Sequence, residues 1–353
     1  MKRRIAILTA GGDCPGLNAV IRAVAKKAIL EYGMEVIGIE DGYEGLIHNR
    51  HKRLDSNDVS GILTLGGTIL GTSNIANPYT PKDVSKTAIS NLKSLGVECL
   101  FCIGGDGTLS AADRLYREGV PIIGIPKTID NDLIGTDITF GFATAVSIAT
   151  EGIDRIHTTA QSHHRVMIVE VMGRKAGWIA LYSGVAGGGD IILIPEIPYD
   201  INIIANKVRE RNKKGKRFSI VVVAEGARPK GGGMVVRKII KGSPDPIRLG
   251  GISFVLGDEI EKATGLEARA VVMGHLLRGG TPVPLDRVLA TELGTRAMDM
   301  LEAKEFGYMV GVRGATLVNV PLKKVAKGFR AVPLNHPLIR SARSIGTCFG
   351  DEK

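Results

Sequence analysis

Four cysteines in 353 residues, irregularly placed, are too few for a disulfide framework. Cys99 and Cys102 form a CxxC, but it lies across a strand-like run with no second pair and no histidines nearby. That context predicts buried thiols in a reducing cytoplasm and argues against a zinc or redox motif. Long apolar runs are missing too, since none reaches the roughly 18 residues that mark a membrane-spanning helix. The start MKRRIAILTAGG looks like a signal peptide only at first sight. Its apolar run is short and enters a glycine-rich turn, so it predicts a first strand. Aromatics are sparse at 5%, and the net charge of +10 is dispersed, with only Lys213 to Arg217 locally dense. The chain is therefore expected to bind neither nucleic acid nor membrane, and its scattered arginines fit small anionic ligands. No internal repeat and no low-complexity linker interrupts it.

Glycine is plentiful, with 46 residues, and 44% of the chain is hydrophobic. That length and composition fit two globular units of about 150 residues each. Residues 4 to 9 read as a buried strand, followed by a loop with Gly11, Gly12 and Gly16, then a helix with Val20, Val24 and Ala28 on one face. The order is that of a phosphate-binding βα unit, although it matches neither GxGxxG nor GxxxxGK[ST]. A strand at 34 to 40 leads to a loop from Asp41 to Leu46, and a second glycine-rich segment runs from Gly66 to Asn74. A helix over about 81 to 95 precedes the strand 98 to 103, which ends in Gly104-Gly105-Asp106-Gly107-Thr108. The next strand stops at Pro126 and is followed by Lys127, Thr128, Asp130, Asn131 and Asp132. Asp130 and Asp132 alternate, so an extended segment points both to one side. This suits a metal ion or a general base beside phosphate; a polar turn is the plainer alternative. Ligands of open α/β sheets bind outside the carboxyl ends of the strands, where these loops would share a cleft.

The second half repeats the style. Strands are predicted at 165 to 170, 190 to 194, 218 to 224 and 268 to 273, and helices at 201 to 213, 252 to 264 and 285 to 301. Residues 227 to 251 read as a surface excursion or hairpin. The expected fold is α/β, with two lobes of mostly parallel sheets flanked by helices and a cleft between them.

Taken in order, GGDCPGLNAVIR (11 to 22), GGT-LGTS (66 to 73), GGDGT (104 to 108), PKTIDND (126 to 132), VEVMGRKAGW (169 to 178), AEG (224 to 226) and GHLLRGGTPVPLDR (274 to 287) resemble the phosphofructokinase family. GGDGT alone also occurs in NAD and lipid kinases, while TIDND with MGR and GH-LRGG is specific. The resemblance implies transfer of the γ-phosphoryl of Mg-ATP to the 1-hydroxyl of fructose 6-phosphate. It places a catalytic base at Asp130, with Thr128 and Asp132 beside it, a Mg²⁺-associated carboxylate at Asp106 and a charge-stabilising cation at Arg174. Gly12, Tyr43, Asn74, Gly105, Gly107 and Thr108 fall at donor-side positions. Met172, Gly173 and Glu225 fall at the sugar, and Arg165, Arg269, His275 and Arg278 at its 6-phosphate. In the family, Arg165 and Arg269 come from a neighbouring subunit, which implies a homodimer or homotetramer with shared sites. The family pattern implies a donor lobe of residues 1 to 141 plus 277 to 327 and a sugar lobe of 142 to 276 plus 328 to 353.

Two positions pull the donor assignment apart. Gly107 is the small residue of ATP users, whereas Lys127 is typical of pyrophosphate users, and Asn74 stands where many members have arginine. ATP is the expected donor, with pyrophosphate as the alternative. Ser56 and His157 replace arginines of the allosteric bacterial type and Asp190 replaces a glutamate, although Arg22 is retained and Lys26 lies near it. Control by ADP or phosphoenolpyruvate is therefore expected to be weak or absent.

Overall fold

The computed structural model describes residues 2–75, 77–240 and 247–351. In chain order, the first half builds β1 (Arg4–Thr9), α1 (Leu17–Leu30), β2 (Glu35–Ile39), α2 (Gly42–Ile47), β3 (His51–Leu54), α3 (Ser85–Leu95), β4 (Cys99–Gly104), α4 (Asp106–Arg117) and β5 (Ile122–Pro126). The long α5 (Phe142–His163) then leads to β6 (Val166–Val171), α6 (Trp178–Ala186), β7 (Ile191–Leu193), α7 (Ile201–Lys213) and β8 (Ser219–Ala224). There follow β9 (Val236–Ile239), β10 (Ile247–Leu249), α8 (Ile252–Thr264), β11 (Ala268–Val272) and α9 (Pro284–Glu302). The chain closes with β12 (Tyr308–Arg313), β13 (Thr316–Pro321), α10 (Leu322–Val325) and α11 (Pro337–Ser344).

Two parallel-cored sheets result. The larger has the order β13-β12-β5-β4-β1-β2-β3 and the smaller β11-β6-β8-β7. Antiparallel pairing occurs in the large sheet only at its two edges, β2 with β3 and β12 with β13. Alternation along the strands divides the core. Ile5, Ile7, Phe101 and Ile103 share one buried cluster with Val169, Val171 and Val222 of the small sheet. Ala6, Leu8, Leu100 and Cys102 face the opposite way, onto residues of α3, α4 and α10. Val166, Ile168, Val221 and Val223 likewise pack on α7 and α8. Both strand faces are covered by helices, which is why the runs are apolar throughout instead of alternating with polar residues.

The four cysteines are free, and Cys99 and Cys102 lie buried on β4, as their context predicted. The excursion at 227 to 251 contains an antiparallel pair, β9 with β10, while residues 241–246 lie outside the described residues. Asp41 to Leu46 differs from the expected loop. Asp41 takes φ 52°, Gly42 follows, and the short helix α2 buries Tyr43 and Leu46 three residues apart. The predicted helix at 81 to 95 starts later, at Ser85, after a turn held by Ser85 N–H on Asp83. Among the described residues no helix is long and apolar enough to cross a membrane.

Candidate active site

Strand register brings the loops together. Thr9 pairs with Ile103, and Ile103 with Ile125, so β1, β4 and β5 end side by side at nearly one level. The Gly11–Gly16 turn, the Gly105–Thr108 turn and the Lys127–Asp132 loop consequently leave the sheet together. A Cβ placed on Gly11 would lie 3.4 Å from Lys127 Nζ, 3.5 Å from Thr108 Oγ1 and 3.9 Å from Asn74 Oδ1. In the small sheet, Val171 pairs with Ala224, so Met172 and Glu225 also leave level with each other.

The carboxylates sit where charge is costly. Asp130 N–H is held by Thr128 Oγ1 at 3.1 Å, and Asp130 Oδ1 is buried with no hydrogen-bond partner among the described residues. Burial pushes the Asp130 carboxyl up to about 6, against the pull of Arg278. Burial, followed by the charges of Asp130 and Asp106, pushes Asp132 up to about 7. Two acids held this way titrate as a pair, and an ionised Asp130 is a poised base. Burial also raises Glu225, with Glu170 adding to the effect, while the Gly173 N–H and the charges of Arg278 and Arg174 oppose it.

Cations surround them. Lys127 is buried, donates to Gly12 O and is held below the usual lysine range by desolvation. Arg278 lies on the same turn: its Nη1 donates to Asp13 O at 3.0 Å, and a Cβ on Gly12 would come within 2.5 Å of that nitrogen. The end of the Arg278 side chain would have to shift to admit one. On the loop after β8, Gly226 is required more strictly, since a Cβ there would sit 2.0 Å from the backbone oxygen of Arg174. Asp106 opens α4 and is bound by Lys175 Nζ at 2.6 Å, an ion pair that joins the β4 loop to the β6 loop. Gly107 is exposed, and a Cβ there would meet no atom within 4 Å.

Some expected residues lie elsewhere. Tyr43 turns into the core, and its hydroxyl donates to Thr108 O at 2.8 Å, so it supports the Gly105–Thr108 turn from beneath. His275 is exposed beside an open cavity of about 700 Å³ lined by Ile148, Val272, Met273 and Leu276. Arg165 and Arg269 are paired through the two oxygens of Glu267. They sit at the amino ends of β6 and β11, whereas Met172 and Glu225 leave the carboxyl ends of β6 and β8. At about 3.3 Å per residue, the length of β6 sets Arg165 roughly 20 Å from the cleft of its own chain. Asp190 has both oxygens engaged, by Arg211 at 2.8 Å and by Ile220 N–H at 2.9 Å.

Two residues escaped the sequence reading. Lys175 lies inside VEVMGRKAGW, where its place after Arg174 was a usable signal. Arg330 had none: it donates to Asn131 O at 2.8 Å and 3.2 Å across 199 residues.

Strand-end loops that gather glycine backbone, carboxylates and cations are those of a phosphate-handling α/β protein. Residues 4–301 match the model of one such family, described as phosphofructokinase. The chain is 53% identical to ATP-dependent 6-phosphofructokinase 2 of Clostridium perfringens, over 99% of each chain. It is 50% identical to the ATP-dependent 6-phosphofructokinase of Spirochaeta thermophila, over 99% of this chain and 98% of that one. Among solved structures, Pichia pastoris phosphofructokinase in the T-state superposes with a TM-score of 0.81 at 33% identity, covering 92% of this chain. This chain spans only 35% of the Pichia chain. A pyrophosphate-dependent phosphofructokinase from Nitrosospira multiformis shares the fold, with a TM-score of 0.82 at 20% identity over 99% of this chain and 93% of that one. The chain belongs to the phosphofructokinase family.

Proposed function

We infer that the chain is an ATP-dependent 6-phosphofructokinase, transferring the γ-phosphoryl of ATP to the 1-hydroxyl of fructose 6-phosphate. The observation that carries this is Asp130, a carboxylate with one buried oxygen unpartnered where three strand-end loops meet. The names of the curated relatives and the open space at Gly107 support ATP as donor. Phosphoryl transfer asks mainly for positioning and charge neutralisation. Asp130 accepts the proton of the 1-hydroxyl as its oxygen bonds to phosphorus and the bond from phosphorus to the departing ADP oxygen breaks. Thr128 and Asp132 hold that loop and its field. Arg174 faces the moving phosphoryl, while Met172, Gly173 and Glu225 shape and bond the sugar. Gly12, Gly105, Gly107 and Thr108 give the donor phosphates backbone to approach, with Asn74 at the rim and Tyr43 bracing the turn.

Among the described residues no three His, Cys, Asp or Glu side chains form a metal cage. One or two exposed carboxylate oxygens beside bound phosphates are what Mg²⁺ uses, so Asp106 fits that ion. Mg²⁺ there would neutralise phosphate charge. Arg278 and His275 are assigned to the 6-phosphate together with Arg165 and Arg269 of a second copy, in a cytoplasmic homo-oligomer. The lobes divide as residues 1 to 141 plus 277 to 327 and 142 to 276 plus 328 to 353. Asp190, already satisfied, favours weak control by ADP or phosphoenolpyruvate.

Lys127 against Gly12 O is the observation that favours a second reading, pyrophosphate as donor. A matrix of ATP and pyrophosphate against fructose 6-phosphate and sedoheptulose 7-phosphate tests both. Activity with ATP well above that with pyrophosphate is expected; equal or greater turnover with pyrophosphate reverses the donor assignment.

A further inference from the structure

Arg330 lies beyond the residues that match the family model, on the segment between α10 and α11. Its guanidinium stacks on Trp178, the only tryptophan, at 4.4 Å from the ring centroid. Nε and Nη2 both donate to Asn131 O, at 3.2 Å and 2.8 Å. The Arg330 backbone completes the contact: its N–H donates to Asp132 O at 2.6 Å, and its carbonyl accepts Trp178 Nε1–H at 2.9 Å. Two residues later, Val332 N–H donates to Glu196 at 2.8 Å, and the same carboxylate takes Gly177 N–H at 3.1 Å. The segment is thus fastened to the start of α6 on one side and to the Lys127–Asp132 loop on the other.

Asn131 bends that loop: it has φ 52°, a left-handed conformation that asparagine tolerates better than most L residues. The Asn131 side chain is used inward, accepting Thr139 N–H at 3.0 Å, so its carbonyl is left to Arg330. A fork on one carbonyl and a backbone bond on the next fix the two consecutive peptide planes that follow Asn131, one residue beyond Asp130. Lysine has no such planar fork.

We propose that Arg330 is a positioning residue of the reaction: clamped on Trp178 and forked onto Asn131 O, it sets how the Thr128–Asp132 loop presents Asp130. It rests on the assignment of Asp130 as the base. Arg330→Lys and Arg330→Met are compared with the wild type by steady-state kinetics, melting and amide hydrogen exchange of residues 127–133. Both variants are expected to lower kcat tenfold or more, with KM for fructose 6-phosphate changed less than about threefold. Exchange in residues 127–133 should quicken while β5 stays protected. Millimolar guanidinium should restore part of the rate to Arg330→Ala, which a lost folding contact alone would not allow.

Unchanged exchange in all variants overturns the proposal, whatever the activity. So does a raised KM with kcat intact, or lower melting with kcat intact. A variant that fails to fold leaves Trp178→Leu, which removes the supporting ring and should reproduce the kcat loss. Full kcat in that variant counts against the clamp. If the wild type itself has no phosphofructokinase activity, the functional reading fails, and the exchange experiment still decides whether Arg330 holds the loop.

Discussion

At the scale of single residues, Asp130 carries the clearest consequences. Asp130→Asn keeps the shape and removes the base, so kcat should fall about 10²- to 10⁴-fold, measured with ATP in a coupled assay. The same change should stabilise the fold at neutral pH. A carboxyl raised to about 6 holds its proton more tightly folded than unfolded. Stability is therefore lost as pH rises through that value and is retained below the ordinary carboxylate range. Melting at pH 8 should thus be higher for Asp130→Asn, and the gap should close toward pH 4. Gly107→Asp makes a different test. Nothing lies within 4 Å of a Cβ there, so the variant should fold normally while its new charge repels the donor. A tenfold or greater loss of kcat/KM for ATP, equal to about 1.4 kcal/mol, is expected. Unchanged ATP kinetics would reject the argument that glycine keeps this position clear. The loops carrying Asp106, Asp130 and Glu225 were legible because each follows an apolar strand run and breaks on glycine or proline. Tyr43 was not: the residues around it read as a loop, and only packing reveals the helix that turns its ring inward.

At the scale of elements, the parallel strands and their following helices were readable from apolar runs and glycine punctuation. The hairpin of β12 and β13 was not foreseen; β13, at the sheet edge, is of mixed polarity and carries little pattern. Contacts between elements were the least legible, since Lys175 and Asp106 lie 69 residues apart. Their ion pair links the loops after β4 and β6, yet both side chains are 43% exposed. Such pairs contribute only about 0.2–1 kcal/mol, so Lys175→Met should leave melting nearly unchanged. Its effect belongs in the metal dependence. With the resident ammonium gone, Asp106 is open to a divalent ion, and half-maximal activity should need less Mg²⁺ at fixed ATP. An unchanged or higher requirement would show that Lys175 does not compete for this carboxylate.

At the scale of the whole molecule, one chain holds the parts of the proposed site at two distant ends. Asp130, Glu225 and Arg278 gather at the carboxyl ends of the strands, while Arg165 and Arg269 sit on Glu267 at the amino ends of β6 and β11. No rotamer spans a strand length of roughly 20 Å, so the proposed contact of these arginines with a phosphate requires another copy's cleft. Exposed Phe254 and Val255 on α8, with Leu285 and Val288 on α9, give the surface apolar area that a second copy could cover. Mixing variants tests this directly. Asp130→Asn and Arg269→Ala should each be impaired alone, the first in its own cleft and the second in its partner's. In a hybrid dimer one cleft receives both defects, and the other receives none. Random reassociation of equal amounts, after mild dissociation, should therefore restore about a quarter of wild-type activity. If activity after mixing stays at the average of the two single variants, each cleft is built from one chain and Arg269 has no part in its neighbour's site.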